Sequence, residues 1–218
     1  MDVLAHIDRL IAERHLLTHP FYEKWQSGTL PKGALQDYAR QYYAFESAFP
    51  TILSAIHSRT EDPVTRQHLL ENLWDEEHGP QNHAELWLRF AEGVGVSRES
   101  VRGAAPTAQT RDLVATYRRS ATTAPVPAAV AGVYAYESQV PAVAEKKIAG
   151  LREHFGVDDP SALSFFTVHQ ALDVEHAGAE RTLIERLAAG HEEEVIAATS
   201  DALEAWWGFL DGVDPEGC

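Results

Sequence analysis

Cysteine is almost missing from this chain. Cys218, the last of 218 residues, is the only one. That excludes an internal disulfide framework and a cysteine-ligated zinc site. No run of about 18 apolar residues occurs, so no membrane-spanning helix is expected. The N-terminal MDVLAHIDRL has neither the basic start nor the continuous apolar stretch of a secretory signal, and the expected location is the cytoplasm. Alternating β-branched runs between turn dipeptides are nearly absent, which leaves little from which to build a sheet. Base is scarce as well: 18 Lys and Arg stand against 33 Asp and Glu, for a formal charge of −15, and only Lys24, Lys32, Lys146 and Lys147 are lysines. Such an acidic excess argues against nucleic acid and anionic membranes as partners, because both call for a basic footprint. Internal repeats and low-complexity tracts are lacking. With 44% hydrophobic and 23% charged residues, the composition is globular. The length suits a single domain over 1–218 with a full core.

What the chain does have is helical periodicity and eleven histidines. Val3, Leu4, Ile7, Leu10 and Ile11 form one apolar stripe and predict a helix over 2–17. HPFYEKWQSG predicts a short helix, with Pro20 at its start and Gly28 at its end. A third runs from Pro31 through Leu35, Tyr38, Tyr42 and Phe45, with a kink or break at Pro50. Asp62-Pro63 is a cap followed by a first-turn proline, opening a helix toward Phe90. Ser97 caps one turn, 108–120 is helical, and Pro127 opens a long helix toward His154. Further helices cover 161–187 and 192–210. The expectation is an all-α bundle of seven or eight helices.

Three of these helices carry carboxylates and imidazoles at matching positions. In LWDEEHGPQNH, Glu76 and His83 are seven residues apart, within about 20° on one helical face. In HQALDVEH, His169, Asp173 and His176 share a face by the same spacing rule. In YAYESQVP, Glu137 interrupts an otherwise apolar stretch. Three carboxylates and three imidazoles suit iron or manganese, since hard oxygen and imidazole nitrogen donors favour these ions. Three anions largely offset two divalent ions. The arrangement is not the Glu plus Glu-x-x-His pair, used twice, of the four-helix di-iron proteins. Pro80 follows Glu76 by four residues and Pro141 follows Glu137 by four, so each glutamate occupies the turn that a proline opens. Glu77, His78 and Glu175 point about 100° or more away from their partners and are assigned to solvent or to a supporting role. Taken singly, each candidate would pass for a solvated acid or an ordinary helix-face histidine. Coincident matching faces on three helices would not.

Together HPFYEKWQSGTL, Glu-x6-His, YAYESQ and His-x3-Asp-x2-His resemble the haem-oxygenase-like dimetal oxidases, from about residue 15 to residue 210. The chain looks most like the branch named for the chlamydial protein associating with death domains. TenA-type thiaminases and PqqC share the fold and the HPF-like opening. The TenA nucleophile is a core cysteine, which this chain lacks, and PqqC works without metal, which the six candidate ligands argue against. The resemblance implies a haem-oxygenase-like helical bundle and a dimetal site, Fe/Fe or Mn/Fe, that uses O2 and an external reductant. It also implies synthesis of p-aminobenzoate for folate, in which a tyrosine of the protein itself becomes the ring and a lysine supplies the amino group. By motif these are Tyr22 in HPFYEKW and Lys147, ten residues after Glu137. On an ideal helix Lys146 points about 180° from Glu137 and Lys147 about 80°. Tyr38, Tyr42, Tyr43 and Tyr136 are candidates to relay an oxidising equivalent, or else plain core.

Two other readings remain open at this point. One is a related dimetal oxidase acting on a separate small molecule, a fatty acid or an amino acid, with Tyr22 and Lys147 structural. The other is a non-enzymatic binding module. A homodimer is expected from the fold's relatives, with Trp206 and Trp207 as a candidate contact.

Overall fold

The computed structural model describes residues 2–214, so Cys218 lies outside the described residues. Those residues form twelve α-helical segments, more than the seven or eight expected: α1 (Val3–Glu13), α2 (Pro20–Ser27), α3 (Lys32–Glu46), α4 (Phe49–His57), α5 (Pro63–Glu77), α6 (His83–Gly93), α7 (Arg98–Arg102), α8 (Ala108–Thr123), α9 (Val126–Glu137), α10 (Val140–His154), α11 (Pro160–Leu187) and α12 (Glu192–Val213). The fold is all-α, with no strand among the described residues.

Two breaks fall inside helices expected to be continuous, and a third falls where a kink or break was expected, near Pro50. Pro80 ends a helix outright: α5 stops at Glu77, Gly79 turns the chain at φ 77°, and α6 restarts at His83 under an Asn82 cap that accepts the Glu85 N–H. Glycine reaches such a positive φ without the steric cost of a Cβ. Pro141 likewise sits in the first turn of a new helix, because α9 ends at Glu137 and α10 begins at Val140. The third break, at Ser47 and Ala48, places Pro50 in the first turn of α4. Elsewhere the caps read from the sequence hold the helices, as when Asp62 accepts the Thr65 N–H at 2.8 Å.

Two helices organise the core. From Pro127 to Glu137, α9 is buried on every face, as expected of a helix that is apolar all round. It lies between α11 and α12, while α11 also packs on α5, α6 and α10. Helix α12 closes the other side against α1, α3 and α8. Trp206 is deep in this core and stacks on Tyr136 with ring centroids 4.1 Å apart. It is therefore not a surface contact for a second copy. Only Trp207 reaches outward, against His19 and the Arg14 carbonyl. His19 is structural too. Its Nδ1 accepts the Phe21 N–H to cap α2, and its Nε2 meets Asp211 at 2.9 Å.

Candidate metal centre

The breaks after Glu77 and after Glu137 put both glutamates in the last turns of their helices, facing α11. Glu76, His83 and His169 come together there, each offering one ligand atom, all within 4.8 Å of one another. The His83 and His169 rings lie 4.2 Å apart. His83 Nδ1 is 2.9 Å from Glu76 Oε1, yet it has no hydrogen bond of acceptable geometry. Beside them, Asp173 Oδ1 and His176 Nδ1 stand 3.7 Å apart, too far for a hydrogen bond. Glu137 lies outside that close trio, and both its oxygens accept from Asn72 Nδ2 at 3.0 and 3.2 Å.

The hydrogen bonds that do exist orient the imidazoles as ligands. His169 Nδ1 donates to the Phe165 carbonyl at 2.7 Å, leaving Nε2 as its free lone pair. His176 Nε2 is taken by Asp75 Oδ2 at 3.2 Å, leaving Nδ1. A ligating histidine ordinarily donates its other nitrogen in this way. Four buried ligand atoms lack partners: Glu76 Oε2, His83 Nδ1, Asp173 Oδ2 and His176 Nδ1. A buried polar atom without a partner costs roughly 1–3 kcal/mol, so these four favour a ligand. The donor set fits hard divalent cations.

Electrostatics say the same. Burial, then the neighbouring charge of Glu137, holds the Glu76 carboxyl well above the usual carboxylate range. Burial also raises Asp173, helped by Glu137 and Glu76 and opposed by His176. Burial pushes His83 and His169 down. For His176 burial works downward, but Asp173, Glu137 and Asp75 outweigh it and lift the group to about 9. Without a cation, burial and mutual repulsion favour the protonated carboxyls, so the ionised cluster needs a cation to offset its charge.

A second constellation lies on α2, α3 and α10. Lys147 is buried, while Lys146 is exposed. The Lys147 Nζ donates to the Tyr38 hydroxyl at 2.6 Å, and that hydroxyl lies 3.2 Å from the hydroxyl of Tyr22. The rings of Tyr22, Tyr38, Tyr42 and Phe166 surround the ammonium, with centroids 5.0–5.6 Å away. Burial pulls the Lys147 amine down to about 7, against an opposing attraction from Glu46. Burial drives the Tyr22 phenol upward, so it is neutral. Aromatic contacts join the two constellations. His169 packs on Phe165 (4.1 Å), Phe165 on Trp87 (4.8 Å), Trp87 stacks on Tyr42 (4.0 Å), and Tyr42 meets Tyr38 (5.6 Å).

Residues 36–207 match the family described as iron-containing redox enzymes. The chain belongs to that family. It is 43% identical to a 4-aminobenzoate synthase of Chlamydia muridarum, over all of this chain and 93% of the relative. Among solved structures, a TenA homologue from Pseudomonas syringae superposes with a TM-score of 0.85 at 14% identity, covering 98% of this chain and 91% of that one. A CADD-like protein from Nostoc punctiforme superposes with a TM-score of 0.77 at 17% identity, covering 98% of each. The fold is thus the haem-oxygenase-like bundle that the motifs implied, and the enzyme is an oxidoreductase.

Several residues of the site were not read from the sequence, Asp75 beside His176 among them. Asn72 precedes Glu76 by one turn, and its spacing was a usable signal. Trp87 follows His83 by four and bridges to the tyrosines. Glu46 is a buried carboxylate on α3, one turn beyond Tyr42 on the core face, and its Oε1 has no partner. Glu180 continues the ligand stripe of α11 by one more turn. Glu77, His78 and Glu175 are exposed.

Proposed function

We propose that this chain is a dimetal, O2-dependent oxygenase that makes 4-aminobenzoate, with Tyr22 as the source of the ring and Lys147 as the source of the amino nitrogen. The observation that carries the reading is the buried Lys147–Tyr38–Tyr22 chain of hydroxyl and amine, joined by aromatic contacts to a cluster of unsatisfied ligand atoms. The 4-aminobenzoate synthases at over 40% identity support the product. Glu76, His83, Glu137, His169, Asp173 and His176 would hold two ions, Fe/Fe or Mn/Fe, which supply activation of O2 with electrons from an external reductant.

The chain's own groups do the rest. The aromatic cage strips water from Lys147, so a large fraction of the amine is unprotonated near neutral pH and keeps a lone pair. Tyr38 touches both reactants and fixes their separation. Its hydroxyl can pass a proton between the Tyr22 phenol and the Lys147 amine. Trp87, Tyr42 and Tyr38 form a continuous path of oxidisable rings from His169 and Phe165 toward Tyr22.

Reconstitution with Fe(II), with and without Mn(II), plus reductant and oxygen, is expected to release 4-aminobenzoate with a matching mass loss at Tyr22. Protein labelled with 15N-lysine should yield labelled product. Product from Tyr22→Phe would sink the reading. A groove of about 760 Å³ favours the separate-substrate alternative, because it is lined by Leu69, Trp74 and Leu183 and reaches Asn72 and His176. That alternative requires many turnovers per chain on an added fatty acid or amino acid, where self-consumption allows at most one.

A further inference from the structure

The ligand stripe of α11 does not stop at His176. Glu180 lies four residues beyond His176 and seven beyond Asp173, which on a regular helix sets it within about 20° of His169. It is only 4% exposed, and neither carboxylate oxygen has a hydrogen-bond partner. Its closest electrostatic neighbour is Glu137, another carboxylate. Helix α11 leaves other glutamates of this stretch, such as Glu175, to solvent. An isolated carboxylate taken out of water costs several kcal/mol and is kept where a cation meets it.

The charge balance of the core points the same way. Glu76, Glu137 and Asp173 bring three negative charges to a centre for two divalent ions, and Glu180 makes four. Among the described residues, the one buried acid left near the site is Glu46, which Glu76 repels and which His83 and then Lys147 attract. With Glu180 counted among the ligands, four carboxylates match the charge of two divalent ions.

Resting on the dimetal reading above, we propose that Glu180 is a fourth carboxylate ligand of the metal centre, serving the ion held by Glu137, Asp173 and His176. With Asn72 and His176 it also lines the groove between α5 and α11, where Glu71, Asp75 and Glu175 are the other carboxylates.

The test is anaerobic titration of the full chain with Mn(II), with free Mn(II) counted by electron paramagnetic resonance and bound metal by elemental analysis. Wild type is expected to bind two ions. Glu180→Gln is expected to keep the first and to bind the second at least tenfold more weakly. Its metal-free form should melt at or above the wild-type temperature, because an unpaired buried charge has been removed. Glu175→Gln, an exposed neighbour on the same helix, should titrate like wild type. Two ions bound by Glu180→Gln with wild-type affinity overturn the assignment of Glu180 and leave the dimetal centre standing. Fewer than two ions on wild type overturn the dimetal centre itself, and this inference with it. Should Glu180→Gln fail to fold, Glu180→Asp, which draws the carboxylate back by one methylene, must show the same weakening of the second ion, and wild-type binding by it counts against the proposal.

Discussion

Lys147 shows where residue-level reading from sequence succeeds and where it stops. Motif resemblance singled it out, but an ideal helix left it about 80° from Glu137, on the shoulder of the site. The break at Ser138 and Gln139 separates the two residues into different helices, so ideal-helix phase no longer relates them. Helical spacing does hold within α11, where His169, Asp173 and His176 form one unbroken stripe. Glu46 was less legible, because nothing in a local pattern says whether an acid on a core face has a buried partner. For Lys147 the burial has a measurable consequence. Only the neutral amine has a lone pair, so the rate of 4-aminobenzoate formation should rise through about pH 7 and level off above it. Stability carries the same signature. The folded value is depressed below the unfolded one, so between about 7 and the ordinary lysine value the unfolded chain holds a proton that the folded chain does not. Folding stability attributable to this group therefore rises with pH across that window, by up to about 1.4 kcal/mol per unit. Below about pH 7 the full burial penalty is present. Lys147→Met removes the group, so urea midpoints of variant and wild type should converge as pH rises from about 7 to about 9. Parallel profiles would show that Lys147 is not buried as a free amine.

At the scale of elements, the prolines of the sequence announced irregular turns but not their kind. Pro80 and Pro141 were expected to open a turn inside a continuing helix. Instead each marks a full stop and a restart. At the first of these breaks, Gly79 at positive φ and the Asn82 cap give α6 a new direction, which sequence spacing alone could not supply. The pairing of α2 with α10 was not legible either, since it depends on a glycine whose role is to be small. A Cβ on Gly150 would lie 2.6 Å from Trp25 Cδ1 and 3.1 Å from the Trp25 carbonyl oxygen. Trp25 also donates to the Lys147 carbonyl, so this contact sets the distance between the helices that carry Tyr22 and Lys147. Gly150→Ala must push them apart. Overpacking of this kind costs about 1–3 kcal/mol, and product yield per folded chain should fall as well. Gly208→Ala, where an added Cβ meets nothing within 4 Å, should be neutral or stabilising by up to about 1 kcal/mol. Thermal melts and single-turnover yields on the two variants check this. Equal effects from both would mean that the α2–α10 contact does not govern the reactant spacing.

At the scale of the whole molecule, the formal charge of −15 is plain from composition, but composition does not say which acids are inside. Five carboxylates near the site are buried: Glu46, Glu76, Glu137, Asp173 and Glu180. Of the carboxylate oxygens of Glu46, Glu76, Asp173 and Glu180, five have no hydrogen-bond partner in the protein. The bundle that gathers them from α3, α5, α9 and α11 is thus poorly satisfied on its own. Its stability should depend on the cations that the cluster is shaped to hold. A ligand that binds only the folded state at one hundred times its dissociation constant contributes about 2.7 kcal/mol per site. In a chain of this size each kcal/mol moves the melting temperature by about 2–4 °C. Loading a single ion as Mn(II) should therefore raise the melting temperature by about 5–10 °C, with chelation reversing the gain. A Glu76→Ala, His83→Ala double variant should melt no lower than wild type without metal by more than its cavities explain, and it should lose most of the metal-dependent rise. A wild-type melting temperature indifferent to Mn(II) and Fe(II) alike would mean that the buried acids are held neutral by protons, and the case for a metal centre would fail on thermodynamic grounds before any assay of its chemistry.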